Sequence, residues 1–166
     1  MERQNERNIE WQCQKILLKY LHHVDRREFD AAANLFTQDA RWFAQGVSLQ
    51  GRNEILEALY SSLSDGTIRH VFTNTIVTVT DDKHAICRSY HSIYYNANSR
   101  IEDSDKPLPF QGPHRIADQV DKMVLTDEGW RIYNLNSYSV FRRNPDELVT
   151  IERWAKSVGK GVGKAG

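Results

Sequence analysis

Apolar residues recur at steps of three and four through Ile9, Cys13, Ile16, Leu17, Tyr20, Leu21 and Val24. This spacing predicts an amphipathic helix from Ile9 to about His23 with one buried stripe and with Lys15 and Lys19 on its wet side. The pattern breaks at VDRREFD, where Asp25 followed by Glu28 has the form of a capping box. A second short helix is expected from Arg26 to Phe36, with Phe29, Ala32, Ala33 and Phe36 inside. Thr37 to Ala40 reads as a turn into a short strand, Arg41 to Ala44, which carries Trp42, and Gln45-Gly46 turns the chain back. Gly51 marks the entry to a third helix whose stripe is Ile55, Leu56, Leu59 and Leu63, stopped by Ser64-Asp65-Gly66.

From there the period changes to two. In RHVFTNTIVTVTDD, Arg69 to Asp82, residues Val71, Thr73, Thr75, Val77 and Val79 fall on one face and His70, Phe72, Asn74, Ile76 and Thr78 on the other. The short turn Asp81-Asp82-Lys83 leads to a β-rich run, His84 to Tyr95, making a hairpin. Asn96 to Pro113 carries three prolines that bar regular pairing and is expected to form a lid or rim. Ile116 to Leu125 and Trp130 to Phe141 alternate around the turn Thr126-Asp127-Glu128-Gly129 and complete a four-stranded antiparallel meander. Asn144-Pro145-Asp146-Glu147 supplies a helix start, and Leu148, Ile151, Trp154 and Val158 continue it as a narrow stripe. Three regions follow: a domain over 1–143, a C-terminal helix over 144–158 and a tail over 159–166 expected to be disordered. Helices first and a long antiparallel sheet afterwards make the fold class α+β.

At 166 residues the chain has the size of one domain able to bury roughly 70% of its unfolded surface. Lys plus Arg balances Asp plus Glu at 22 each, so no net field draws it to nucleic acid or to an anionic membrane, and no apolar run spans a bilayer. Cys13 and Cys87 show no metal-ligand spacing, which suits a reducing compartment. With a polar N-terminus lacking the apolar run of a signal peptide, a cytoplasmic location is expected. No dinucleotide, P-loop or serine-hydrolase motif is present, and the six histidines form no coherent ligand set, so neither cofactor nor metal is expected.

The candidate chemistry centres on His70. Its strand face mixes an imidazole and an amide with apolar groups, and each buried polar group without a partner costs roughly 1–3 kcal/mol. Asn74 and Phe72 share that face and are candidate substrate contacts, as are His91 and Trp42. Asn74 has a structural alternative, bonding to a neighbouring strand. Asp25, in D-x-x-E, reads by its own pattern as the cap of the second helix. Tyr20 lies on the apolar stripe of its helix, which fits either core packing or a hydrogen-bond donor to a ligand.

The order of VDRREFDAAANLFTQDARW, GRNEILEAL, RHVFTNTIVTV, ICRSYHSIYY and DKMVLTDEGWRI resembles the SnoaL-like branch of the nuclear transport factor 2-like superfamily over about Ile9 to Phe141. The resemblance implies an α+β cone, in which a strongly curved, mostly antiparallel sheet wraps around N-terminal helices and encloses an apolar pocket, commonly in a homodimer or higher homo-oligomer. Scytalone dehydratase and the dehydrochlorinase of hexachlorocyclohexane degradation carry a catalytic Asp-His pair at the positions held here by Asp25 and His70. Ketosteroid isomerase, more distant, has its oxyanion-binding tyrosine at Tyr20 and its protonated acid at Asp121, but its general base falls on Ala44. Under the resemblance His70 is therefore the base of a cofactor-independent lyase or isomerase, with Asp25 and Tyr20 as further catalytic residues and Asp121 as a ligand contact. The substrate expected is a hydrophobic cyclic or aromatic small molecule. Two other readings stand beside it: a module that binds such a molecule without chemistry, and a structural partner like the β subunits of aromatic-ring-hydroxylating dioxygenases.

Overall fold

The computed structural model describes residues 3–63, 66–97, 100–109, 112–144 and 150–163. Four helices, α1 (Arg3–Asp25), α2 (Phe29–Ala33), α3 (Arg52–Ser62) and α4 (Thr150–Ser157), accompany six strands: β1 (Phe36–Ala44), β2 (Val47–Gln50), β3 (Thr67–Val79), β4 (His84–Asn96), β5 (Arg115–Thr126) and β6 (Gly129–Arg142). The strands form one curved, open sheet in the order β2-β1-β6-β5-β4-β3. Every pairing is antiparallel except β1 with β6. The expected meander is thus present as β3 to β6, extended at one edge by the β1–β2 hairpin, and the fold class is α+β. Helix α1 packs against β3, β4 and β6. Its buried residues, Ile9, Cys13, Leu17, Tyr20, Leu21 and Val24, are those that the three-and-four spacing marks, with Ile16 at the margin. Each such side chain fully removed from water contributes about 1.5–3 kcal/mol. No helix among the described residues is long and apolar enough to cross a membrane.

The end of α1 differs from the expected capping box, and the difference builds the site. The helix continues through Asp25 and closes in a Schellman motif: the Glu28 amide donates to the His23 carbonyl at 2.8 Å and the Arg27 amide to the Val24 carbonyl at 3.0 Å. Arg27 takes the left-handed conformation, φ 63°, where glycine is usual. Its guanidinium donates to the Leu63 carbonyl at 2.6 Å, a tether that offsets the backbone cost. Asp25 therefore does not cap α2, which has Glu28 at its N-cap and no side-chain capping bond. Glu28 instead accepts from His23 and Arg26. The second helix is also shorter than expected, because Phe36 begins β1 instead of ending α2, although it is buried in either case.

Strand β3 does not keep one alternation from end to end. Its pairing with β4 shifts between Thr73 and Ile76, and Asn74 sits there at φ 53°, an extra residue that forms a β-bulge. Before the bulge His70 and Phe72 turn inward; after it Thr75, Val77 and Val79 do, while Asn74 and Ile76 are exposed. The expected common face of His70, Asn74 and Ile76 is thereby divided. Asn is among the few non-glycine residues tolerant of this region. Asn74→Val is accordingly expected to cost about 1–2 kcal/mol in urea unfolding, with Asn74→Gly close to neutral; equal effects of the two would contradict a backbone origin.

Helix α4 packs on its own chain, against α3 and β2, burying Ile151, Trp154 and Ala155; Val158, expected on the same stripe, is exposed. Residues 145–149, which carry most of the expected helix start, and Ser64 and Asp65 lie outside the described residues. The tail expected to be disordered is docked over its described part. The Gly163 amide donates to the Gly46 carbonyl at 2.8 Å, Lys160 pairs with Glu54, and Val162 packs against the core.

Candidate functional site

Between α1, the inner face of the sheet and α4 lies a cavity of about 90 Å³. Its apolar wall includes Leu21, Val24, Trp42, Leu59, Ile93 and Ile151, and its polar groups include Tyr20, His70, His91, Arg115, Gln119, Ser137 and Arg153, with His114 and Tyr95 alongside. Trp42, Tyr20, His70 and His91 thus open on one space, drawn from β1, α1, β3 and β4. Ala44, at the position of the ketosteroid isomerase base, lines it too. No described residue between Ala97 and Pro113 does, so the described part of the expected lid is not in the wall, to which α4 contributes Ile151 and Arg153.

His70 is gripped by Asp25. Its ring Nδ1 lies 2.6 Å from Asp25 Oδ1, and its backbone amide donates to Asp25 Oδ2 at 3.0 Å. A carboxylate only accepts, so Nδ1 carries the hydrogen, and in the neutral ring Nε2 is the lone-pair nitrogen. The Schellman turn is what points the Asp25 side chain across to β3. Both groups are nearly buried, with side chains 10% and 14% exposed.

Burial favours the neutral form of Tyr20, His91 and Asp121 around the pair. Desolvation pushes the Tyr20 hydroxyl up, aided by the negative charges of Asp121 and Asp25, so it stays a hydrogen-bond donor. Desolvation pushes His91 down to about 3, with His70 and Arg115 acting in the same direction. Its ring stands edge-on to His70, centroids 6.2 Å apart, and Phe72 packs against it at 4.6 Å. Its buried Nε2 has no protein partner. Asp121 is fully buried, and desolvation raises it to about 8.

Three expected ligand contacts are placed elsewhere. Asp121 does not line the cavity: it lies one inward step beyond Gln119 on β5, and Gln119 Nε2 donates to its Oδ2 at 2.7 Å. Phe72 buttresses His91 from outside the wall. Asn74 is exposed at the bulge and cannot reach the ligand space. The sequence reading passed over Arg115, Gln119 and Ser137. Their signal is the inverted pattern of RIADQVD, in which Arg115, Ala117, Gln119 and Asp121 are buried while Ile116 and Val120 are only half-buried.

Residues 5–136 match the family described as the SnoaL-like domain. No curated protein matches the sequence. A candidate scytalone dehydratase from Novosphingobium aromaticivorans superposes with a TM-score of 0.68 at 16% identity, over 83% of this chain and 88% of its own. A candidate dehydratase of the NTF2-like family from Streptomyces avermitilis gives 0.68 at 16%, over 82% and 99%, and a candidate aromatic ring hydroxylase from N. aromaticivorans gives 0.64 at 20%, over 79% and 88%. At such identities these likenesses establish the fold, which carries different names in different proteins. The family match covers most of the length, and the chain belongs to the SnoaL-like domain family.

Proposed function

We propose that the protein is a cofactor-independent lyase or isomerase that abstracts a carbon-bound proton from a small, hydrophobic, cyclic or aromatic molecule. The observation that carries the reading is the 2.6 Å contact of Asp25 with His70 Nδ1, made by a histidine that opens on a cavity lined by both apolar and polar side chains. His70 Nε2 takes the proton; the C–H electron pair becomes a C=C bond or an enolate; in an elimination the adjacent carbon loses halide, or loses hydroxide that takes the proton back from His70 and leaves as water, and in an isomerisation His70 returns the proton to another carbon. Asp25 stabilises the imidazolium so formed, and Tyr20 donates to the oxygen on which charge develops. The dehydratase names of two structural neighbours support this reaction class. The test is a screen of ring compounds bearing a leaving group beside an acidic C–H, followed by the absorbance of the new double bond. His70→Gln is expected to lose at least a thousandfold in turnover; equal rates in the two proteins would overturn the reading and leave a binding role.

The exposed apolar residues of the sheet, among them Val71, Ile76, Tyr90, Val140 and Phe141, support association of two copies through the face opposite the cavity. Phe141→Glu is expected to convert a dimer to a monomer in light scattering, and a mass equal to the wild type's would exclude that face.

A further inference from the structure

Among the described residues, Arg115 is a buried cation with no anion of its own. It is 5% exposed, and its guanidinium donates only to neutral hydroxyls, Ser137 Oγ at 3.0 Å and Ser139 Oγ at 3.3 Å. Its Nε has no partner. Glu152, the carboxylate whose charge acts on it, is held by Arg142 through contacts of 3.0 and 3.3 Å. Burial pulls Arg115 down to about 10, and the repulsion of Arg142 acts on it more strongly than the attraction of Glu152. Among the described residues lining the cavity there are two arginines, Arg115 and Arg153, and no Asp or Glu. His91 is neutral. Leaving a buried charge uncompensated is strongly unfavourable, and the open side of this one is the ligand space.

The position of the cation relative to the base is set by register. His70 pairs with Ile93, Ile93 with Arg115 and Arg115 with Arg142, a single row across β3, β4, β5 and β6. Two strand spacings put the His70 and Arg115 backbones roughly 10 Å apart, with the buried Ile93 side chain between them as an apolar floor. Gln119 and Ser137 stand beside the guanidinium.

We infer that the ligand of this cavity carries a carboxylate, bound by Arg115, on a ring that lies over Ile93 and presents its far side to His70. That the ligand is a substrate rests on the reading of the Asp25–His70 pair; that it is an anion does not. The inference separates two otherwise similar groups of compounds, ring carboxylates and their neutral amides.

The experiment is calorimetric titration of benzoate, cyclohexanecarboxylate and the two corresponding amides into the full chain, using wild type, Arg115→Met, Arg115→Lys and His70→Gln. Wild type is expected to prefer each carboxylate over its amide by at least tenfold. The preference should vanish in Arg115→Met, survive in part in Arg115→Lys and persist in His70→Gln. Wild type without the preference overturns the inference even if no variant folds, and a preference that persists in a folded Arg115→Met overturns it as well. Loss of activity in His70→Gln with carboxylate binding retained supports both readings; carboxylate binding with no effect of His70→Gln on turnover would sink the base and keep the anion site.

Discussion

Asp25→Asn is expected to lower turnover by about 10²–10⁴ while leaving the affinity for ligand within a few-fold. The change is nearly isosteric, so its force comes from proton position. The Asp25 carboxylate accepts from two donors at once, His70 Nδ1–H at 2.6 Å and the His70 amide at 3.0 Å. An asparagine has one accepting oxygen. If that oxygen keeps the backbone amide, its NH₂ meets Nδ1, which must then accept; the ring proton moves to Nε2 and the base is blocked. Where such a carboxylate-to-amide change reverses a histidine tautomer, the loss is on the order of 10⁴. The variant also tests the other assignment of Asp25, because Asn caps a helix about as well as Asp and a capping role predicts no effect. Nitrogen chemical shifts of His70 provide the readout that a merely structural role would not move. The wild type should show Nδ1–H and a free Nε2, the variant the reverse. A variant with unchanged tautomer and unchanged turnover would sink the dyad.

His70 and Asp25 each stand on a local signal, whereas their pairing came from the family resemblance. The stripe on α1 and the β-rich run of β3 are strong periodic signals, and they bring the last turn of one beside the first residues of the other. The alternative function of Asp25 was equally local and was wrong, because D-x-x-E at a helix start looks the same as Asp and Glu on either side of a helix stop. Only Arg27 in the left-handed region distinguishes them, and an arginine gives no warning of that conformation where a glycine would. The bulge at Asn74 was hidden for a related reason: apolar residues occupy both faces of β3, so period two has no preferred phase for one inserted residue to break. Strand β2, four residues long, offered too little pattern to be seen beside the turn that precedes it. Arg115 was missed for a third reason. It opens a strand just after the proline-bearing stretch, where a charge usually marks an exposed end, and only sheet register turns it inward. Local pattern thus located His70 and the family resemblance its partner Asp25, whereas the cation opposite them depended on pairing between distant strands.

Stability is expected to fall as pH rises from about 6.5 to 8, and Asp121→Asn is expected to remove that fall. In the folded protein Asp121 keeps its proton to about pH 8 because burial penalises its charge; in the unfolded chain it loses the proton near pH 4. Between those values the folded state binds more protons. The contribution is therefore fully present below about pH 4 and is lost as pH rises through 8, with a slope of at most roughly 1.4 kcal/mol per pH unit. His91 has the opposite sign. Its folded value of about 3 lies below the unfolded value near 6.5, so its contribution is present above pH 6.5 and is lost as pH falls toward 3. From about pH 4 to 6.5 the two slopes oppose and nearly cancel, leaving a plateau; above it Asp121 acts alone. Urea unfolding of both proteins at pH 5, 6.5 and 8 isolates the effect, since all other groups are common to them. A wild type whose stability relative to Asp121→Asn does not change between pH 6.5 and 8 would show that Asp121 is already ionised. The consequence reaches the site, because an ionised Asp121 would draw the amide of Gln119 more tightly and make the hydroxyl of Tyr20 a weaker acid. A neutral one leaves Arg115 as the principal charge that a ligand meets at that end of the cavity.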